Sequence, residues 1–167
     1  METFKIQGIG WLQQYVEPND EVLDIGCGTM RMTRNLACKV LFGVDAYQPY
    51  IDQLKADGFT NVFCGRMEKY LPDFRKKCFD VVLSIDSIEH LTKPAALKAI
   101  THMERVARKW VVIFTTIGFI PQDLDENPEF QKHRCGFKPE ELKALGYHIY
   151  IRTGGDKPSF LAVKEMM

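Results

Sequence analysis

EVLDIGCGTMRMTRNL, Glu21 to Leu36, decides how the rest of this 167-residue chain is read. Val22, Leu23 and Ile25 form a short apolar run of strand type, and Gly26 and Gly28 mark a tight turn. Met30 to about Ala37 suits a helix that follows the turn. Strand, glycine turn and helix in succession make a ligand-binding geometry, because glycine backbone lets a small molecule approach where a strand ends. Asp24 and Gly26 stand at that point, and the question is which molecule needs them there.

Outward from this stretch, strand and helix signals alternate. Strand signals recur at Val40–Val44, Asn61–Cys64, Phe79–Ile85 and Trp110–Thr115, with helical segments at about Pro49–Asp57 and Pro94–Ala107 between them. Pro94 suits a first helical position, and Leu97, Ile100, Met103, Glu104 and Ala107 repeat with a period near 3.6. Upstream, Phe4, Trp11, Leu12 and Tyr15 fit a helix over about Phe4–Val16 that ends at Pro18. Downstream of Pro128 the pattern changes. A short helix at Pro139–Leu145 stops at Gly146, and Tyr147–Arg152 and Phe160–Val163 flank Gly154-Gly155 as a hairpin added to the sheet edge. The alternation predicts an α/β doubly wound parallel sheet with helices on both faces.

Composition narrows the function classes. With 46% hydrophobic residues the chain is long enough for one domain with a proper core, so residues 1–167 are expected to form a single domain. Lys plus Arg and Asp plus Glu balance at 22 each, which indicates no electrostatic footprint for nucleic acid or an anionic membrane surface. The longest apolar run, Trp110 to Ile120, is far below the roughly 20 residues of a spanning helix. The N-terminus lacks the long apolar region of a signal peptide, and a cytoplasmic location is the default. Five cysteines without a C-x-x-C pair fit reduced, mostly buried thiols. Cys27 lies in the glycine turn, where a small packing side chain is a simpler reading than a nucleophile.

In an open α/β sheet the ligand sits beyond the carboxyl ends of the central strands. Four such ends carry polar residues: Asp24, Asp45, Arg66 to Glu68, and Asp86 to His90. A dinucleotide fingerprint G-x-G-x-x-G would need a third glycine where this chain has Arg31. Asp24 would also face a pyrophosphate, and like charges repel. A carboxylate there favours a ligand that is cationic at this point, an α-amino group or a sulfonium. Asp45, 21 residues later, suits a carboxylate that accepts hydrogen bonds from both hydroxyls of a ribose. An adenosine with a cationic amino-acid tail and no phosphates satisfies both, and S-adenosylmethionine is such a molecule.

VLDIGCGTM, FGVDAYQPYIDQLK, FDVVLSIDSIEHLTKPAALKAITHMERVARKWVVIFT and GFIPQDLDENPEFQKHRCGFKPEELKALGYHIY together resemble the class I S-adenosylmethionine-dependent methyltransferases. The likeness is greatest to the small single-domain kind with E-H-L after the fourth strand (type 11/12), and it runs from Glu21 to Tyr150. It implies a Rossmann-like seven-stranded sheet in the order 3-2-1-4-5-7-6, the last strand antiparallel. It assigns Asp24, Gly26, Cys27 and Gly28 to the methionine tail and to backbone contact with the cofactor, and Asp45 with Ala46 to the ribose. Relatives often follow the third strand with glycine, an aspartate for the adenine amino group, and a small or apolar residue. Here the residues are Gly65, Arg66 and Met67, which leaves adenine to Met67, with Glu68 as a substitute acceptor. Asp86 ends the fourth strand, where the family contacts the cofactor or the substrate. After the fifth strand TTIGF, Thr115–Phe119, replaces the T-P-N-G-F of many relatives, so substrate contacts there stay open.

Methyl transfer from a sulfonium needs an in-line nucleophile, a dry site and in some cases a base. His133, His90 and Asp86 are the candidates for that base, since an imidazole can be neutral near pH 7. A solvated loop histidine at 133 and a packing histidine at 90 are the competing readings. Asp86, Glu89 and His90 make D-x-x-E-H, similar to the E-x-x-E-H of metal-assisted quinone-type O-methyltransferases, and magnesium is the ion it would hold. Many relatives carry E-H-L without metal, and no metal ligand is assigned. The expected function is methyl transfer to an unidentified, small-molecule acceptor through O, N, S or C. The alternatives are a protein that binds S-adenosylmethionine or S-adenosylhomocysteine without transfer, as scaffold or sensor, and a nucleotide-dependent oxidoreductase. No large insertion covers the site, which fits a small substrate and equally a partner subunit or homodimer that completes it.

Overall fold

The computed structural model describes residues 1–122 and 128–167. Eight strands, β1 (Glu2–Phe4), β2 (Glu21–Ile25), β3 (Val40–Asp45), β4 (Val62–Cys64), β5 (Phe79–Ile85), β6 (Ala107–Thr116), β7 (His148–Arg152) and β8 (Ser159–Glu165), form one sheet. Their order is β1-β7-β8-β6-β5-β2-β3-β4. β8 runs antiparallel to both β6 and β7, and the other pairings are parallel. From β2 the chain moves outward through β3 to β4, then crosses back to β5 and outward the other way, so the switch in direction lies between β2 and β5. A crevice opens at such a point because the two connections leave the sheet on opposite sides.

Apolar β2 and β5 are central because neither face sees water: Leu23 and Val82 pack into one core, Val22, Val81 and Leu83 into the other. The first core is covered by α3 (Met67–Asp73), α4 (Lys93–Val106) and α6 (Pro139–Ala144). Trp11 and Leu12 of α1 (Gly10–Gln13) close the second, while Ile51 and Leu54 of α2 (Gln48–Ala56) pack with Met30 and Val62. Truncation of a fully buried side chain such as Leu23 or Ile100 belongs to the class of changes that cost about 2–5 kcal/mol. No described helix is long and apolar enough to cross a membrane.

The doubly wound order matches expectation, with one strand more than the seven expected. The helix expected over Phe4–Val16 is instead strand β1, a turn and the four residues of α1. Gly8, at φ +57°, stops a helix from running through, and β1 takes the free edge of β7 beside Phe4's stack with Trp11 and Phe114. The helix expected over Met30–Ala37 is a run of tight turns. Met30 has φ +54°, and the backbone bonds mostly close three residues apart, Met30 N–H to Cys27 O, Thr33 to Met30 and Leu36 to Thr33. Helix α3 had no counterpart in the sequence reading, because Pro72 in its last turn masks the Met67 and Leu71 pair that buries its inner face. Of the loop-rich segment around His133, residues 125–127 lie outside the described residues, and α5 (Pro128–Gln131) follows them.

Candidate functional site

A crevice of about 350 Å³ lies over the carboxyl ends of β2, β3, β4 and β5. Parallel strands all end at the same side of the sheet, so Asp24, Gly26, Cys27, Gly28, Asp45, Ala46, Met67, Glu68, Asp86 and His90 line this one space. His133 does not. It lines an adjoining cavity of about 340 Å³, which shares Asp86, His90 and Gln131 with the first.

The glycine turn is held from two sides. Val44 O accepts the N–H groups of Gly26 (2.7 Å) and Cys27 (3.1 Å). Asp45 then accepts Gly28 N–H through Oδ2 and Tyr47 N–H through Oδ1, each at 2.8 Å. Burial pushes the Asp45 carboxyl up and these two bonds pull it down. Gly26 has φ +75°, and Ser87 from the loop after β5 donates its hydroxyl to Ile25 O at 3.0 Å. The serine therefore ties the ends of β2 and β5 together at the crevice floor.

Asp24 is buried in β2. Thr33 donates its hydroxyl to Oδ2 at 2.6 Å, while Oδ1 is buried with no hydrogen-bond partner. Desolvation is the main reason the carboxyl is pushed up to about 7, with Thr33 pulling it down and Asp45 pushing it further up. A buried carboxyl oxygen without a donor in a crevice wall fits a cationic or N–H-bearing ligand group. Cys27 is buried too. Desolvation, then the nearby Asp24 and Asp45, push its thiol far above the ordinary range, so it stays protonated and acts as packing.

Opposite the glycines, Arg66 forms a 2.6 Å ion pair with Glu129 of α5, and its guanidinium lies 5.5 Å from the centroid of the Phe130 ring. Arg66 is thus engaged across the crevice mouth and leaves Met67 and Glu68 to face inward. Asp86 adopts φ +49°, an uncommon conformation for a non-glycine residue. Burial pushes its carboxyl up, against Arg152, Arg31 and Lys157, which pull it down.

His90 and His133 meet edge to face, ring centroids 4.9 Å apart. His133 Nδ1 bonds Ile120 O at 2.7 Å and His90 Nδ1 bonds Lys132 O at 3.3 Å. A carbonyl can only accept, so each Nδ1 carries the proton and each Nε2 holds a lone pair. Desolvation lowers both rings, His90 to about 4, and keeps them neutral near pH 7. Glu89 is buried, its backbone carbonyl pinned by Arg134 and Cys135 N–H groups, and burial followed by repulsion from Asp86 pushes it up to about 8. Among the described residues no three His, Cys, Asp or Glu side chains converge to hold a metal ion, so Asp86, Glu89 and His90 do not form the magnesium cluster that the D-x-x-E-H spacing raised.

Thr33, Ser87, Glu129, Phe130 and Arg152 were not among the sequence candidates. Thr33, Ser87 and Glu129 have partners 9, 62 and 63 residues away in the chain, at no fixed spacing.

The fold and the acidic, glycine-floored crevice define a class I, Rossmann-like cofactor-binding domain. The sequence matches the methyltransferase domain family, type 11, over residues 23–114, more than half of the chain. The chain belongs to that family, the class I S-adenosylmethionine-dependent methyltransferases. A SAM-dependent methyltransferase from Methanosarcina mazei superimposes with a TM-score of 0.75 at 14% identity, over 98% of this chain and 99% of that one. Magnesium protoporphyrin IX methyltransferase from Synechocystis, with bound SAH, superimposes with a TM-score of 0.67 at 17% identity, over 95% of this chain and 80% of that one. By sequence the chain is 32% identical over 94 residues to "Probable tRNA methyltransferase 9B" of Bos taurus, which is 56% of this chain and 20% of that protein. The match thus spans only a fifth of that relative's length.

Proposed function

We propose that this chain binds S-adenosylmethionine in the crevice and transfers its methyl group to a small-molecule acceptor held in the adjoining cavity. The observation that carries the reading is the buried, partnerless Oδ1 of Asp24, with Asp45 across the same crevice. A cationic amino-acid tail suits the first carboxylate and a ribose suits the second. Asp24, Gly26, Cys27 and Gly28 surround the methionine tail. Asp45 still has lone pairs beyond its two backbone bonds for ribose hydroxyls, beside Ala46. Met67 packs on the adenine, and Glu68 accepts from its amino group.

When bound, the cofactor's sulfonium supplies a methyl group already activated for transfer. The chain's part is to position the acceptor, exclude water and receive the proton the acceptor loses. Asp86 and His90 stand where the two cavities join. His133 Nε2, its lone pair fixed by the Nδ1 bond to Ile120 O, takes that proton. His133→Gln is therefore expected to lower kcat about 100-fold or more while cofactor affinity stays within twofold, as read by S-adenosylhomocysteine release and by titration. Equal turnover would return His133 to a packing role. A cytoplasmic location belongs to the same reading and is supported by five free cysteines.

A tRNA acceptor is the second reading, favoured by the likeness to the curated relative. Methyl transfer from labelled cofactor to bulk tRNA, set beside a panel of small hydroxy and amino acids, separates the two.

A further inference from the structure

The adjoining cavity is lined by a cation, Arg152, that makes no ion pair among the described residues although it acts on the charge of Asp86. Arg152 stands at the end of β7, and its Nε is buried without a hydrogen-bond partner. Its guanidinium packs against Phe114, 5.9 Å from the ring centroid, and over Gly155, where an added Cβ would lie 2.5 Å from Nη2. Gly155 therefore leaves room for the guanidinium, and Arg152 lines the cavity. Lys157 lines the same space, with Nζ on Gln122 Oε1 at 2.8 Å and further protons to give. Glu89, wholly buried, lends a second partnerless polar atom, Oε2.

We propose that this cavity is an anion-recognition site in which Arg152, aided by Lys157, holds the carboxylate or phosphate of a small methyl acceptor. That the anion belongs to a methyl acceptor rests on the methyltransferase function proposed above; the anion site does not. A planar guanidinium presents paired N–H donors that match a carboxylate or phosphate in two-point contact. Burial keeps Glu89 largely protonated at pH 7, so it adds a donor and no repulsion. Asp86 and Asp156 also line the cavity, and Arg152 acts on the charge of Asp86, so the reacting group of the acceptor is a neutral hydroxyl or amine rather than a second anion. The acceptor class is then a small acid or phosphate ester that carries such a nucleophile.

The test uses the full chain, with and without saturating S-adenosylhomocysteine, titrated with 4-hydroxybenzoate, phenyl phosphate and the neutral 4-hydroxybenzamide. At least one of the two anions is expected to bind tenfold or more tightly than the amide and to shift the Gly155 amide resonance. Whichever anion leads identifies carboxylate or phosphate as the group recognised. Arg152→Gln should abolish the preference while S-adenosylhomocysteine affinity stays within twofold, which also reports that the variant folds. Lys157→Gln should weaken the anion about threefold. Equal binding of anion and amide, absence of binding by all three probes, or a preference that survives in Arg152→Gln overturns the proposal. Failure of S-adenosylhomocysteine to bind would instead remove the cofactor reading, and the anion preference measured without it would still stand or fall by itself.

Discussion

Asp24→Asn is expected to weaken S-adenosylmethionine binding about 100-fold and, in the same variant, to make the ligand-free protein more stable at pH 8. Both effects come from one buried carboxyl. Its ordinary value is 3.8 and the fold pushes it up to about 7, chiefly by desolvation. A carboxyl whose folded pKa exceeds its unfolded one contributes stability that is fully present below the unfolded value and is lost as pH rises through the folded one. Above about pH 7 the ligand-free fold must hold an ionised group with an unpartnered oxygen, a penalty on the order of a few kcal/mol. Asparagine is neutral and keeps an oxygen for the Thr33 hydroxyl, so a Tm about 5 °C higher at pH 8 is expected, with little gain at pH 4. Binding moves the other way, because the cationic tail loses the charge that it faces, and truncating one partner of a buried charge pair costs about 2–5 kcal/mol. Wild-type affinity should itself fall as pH drops below about 7, up to tenfold per unit, and the variant should lose that dependence. Thermal melts and titrations at pH 4, 6 and 8 read both. Unchanged affinity in the variant would remove Asp24 from the site.

Gly26→Ala is expected to destabilise the protein by about 3 kcal/mol or more and to abolish cofactor binding. Its φ of +75° is strained for any residue with a Cβ. The added carbon would stand 2.4 Å from Ser87 Cβ and 2.8 Å from Ser87 Oγ. Ser87 cannot withdraw cheaply, because its hydroxyl holds Ile25 O and meets Ser84 Oγ at 2.5 Å in the buried floor. The loops after β2 and β5 must then separate, and the crevice loses its base. A fall in Tm of roughly 10 °C is expected for a domain of this size. By contrast Gly28→Ala meets nothing within 4 Å and carries only the strain of φ +52°. A calorimetric melt of the two variants side by side separates clash from strain, and equal losses would show that the Ser87 contact contributes nothing.

The sequence-level reading succeeded where burial on both faces leaves a continuous apolar run. β2, β5 and most of β6 are such strands, and the strands of a parallel sheet all end at one side. Asp24, Asp45 and Asp86 at those ends therefore line one crevice, as their positions in the sequence imply. It failed where tertiary contacts override local pattern. Phe4, Trp11, Leu12 and Tyr15 keep helical spacing, yet Gly8 breaks the helix and Phe4 pairs on the free edge of β7. Met30 to Leu36 likewise has helix-forming residues, but Thr33 is drawn to the buried Asp24 and the chain closes in turns. In the sequence Arg66 stands where many relatives have an aspartate. Its partner Glu129 lies 63 residues on, a pairing that no local spacing announces.

The central claim is that the Asp24–Asp45 crevice takes S-adenosylmethionine. Calorimetric titration of the chain at pH 8 with S-adenosylmethionine, S-adenosylhomocysteine and, as control, NAD tests it most directly. The account predicts micromolar binding of the first two and none of the third. NAD bound more tightly than either, or no binding of S-adenosylmethionine, would contradict it.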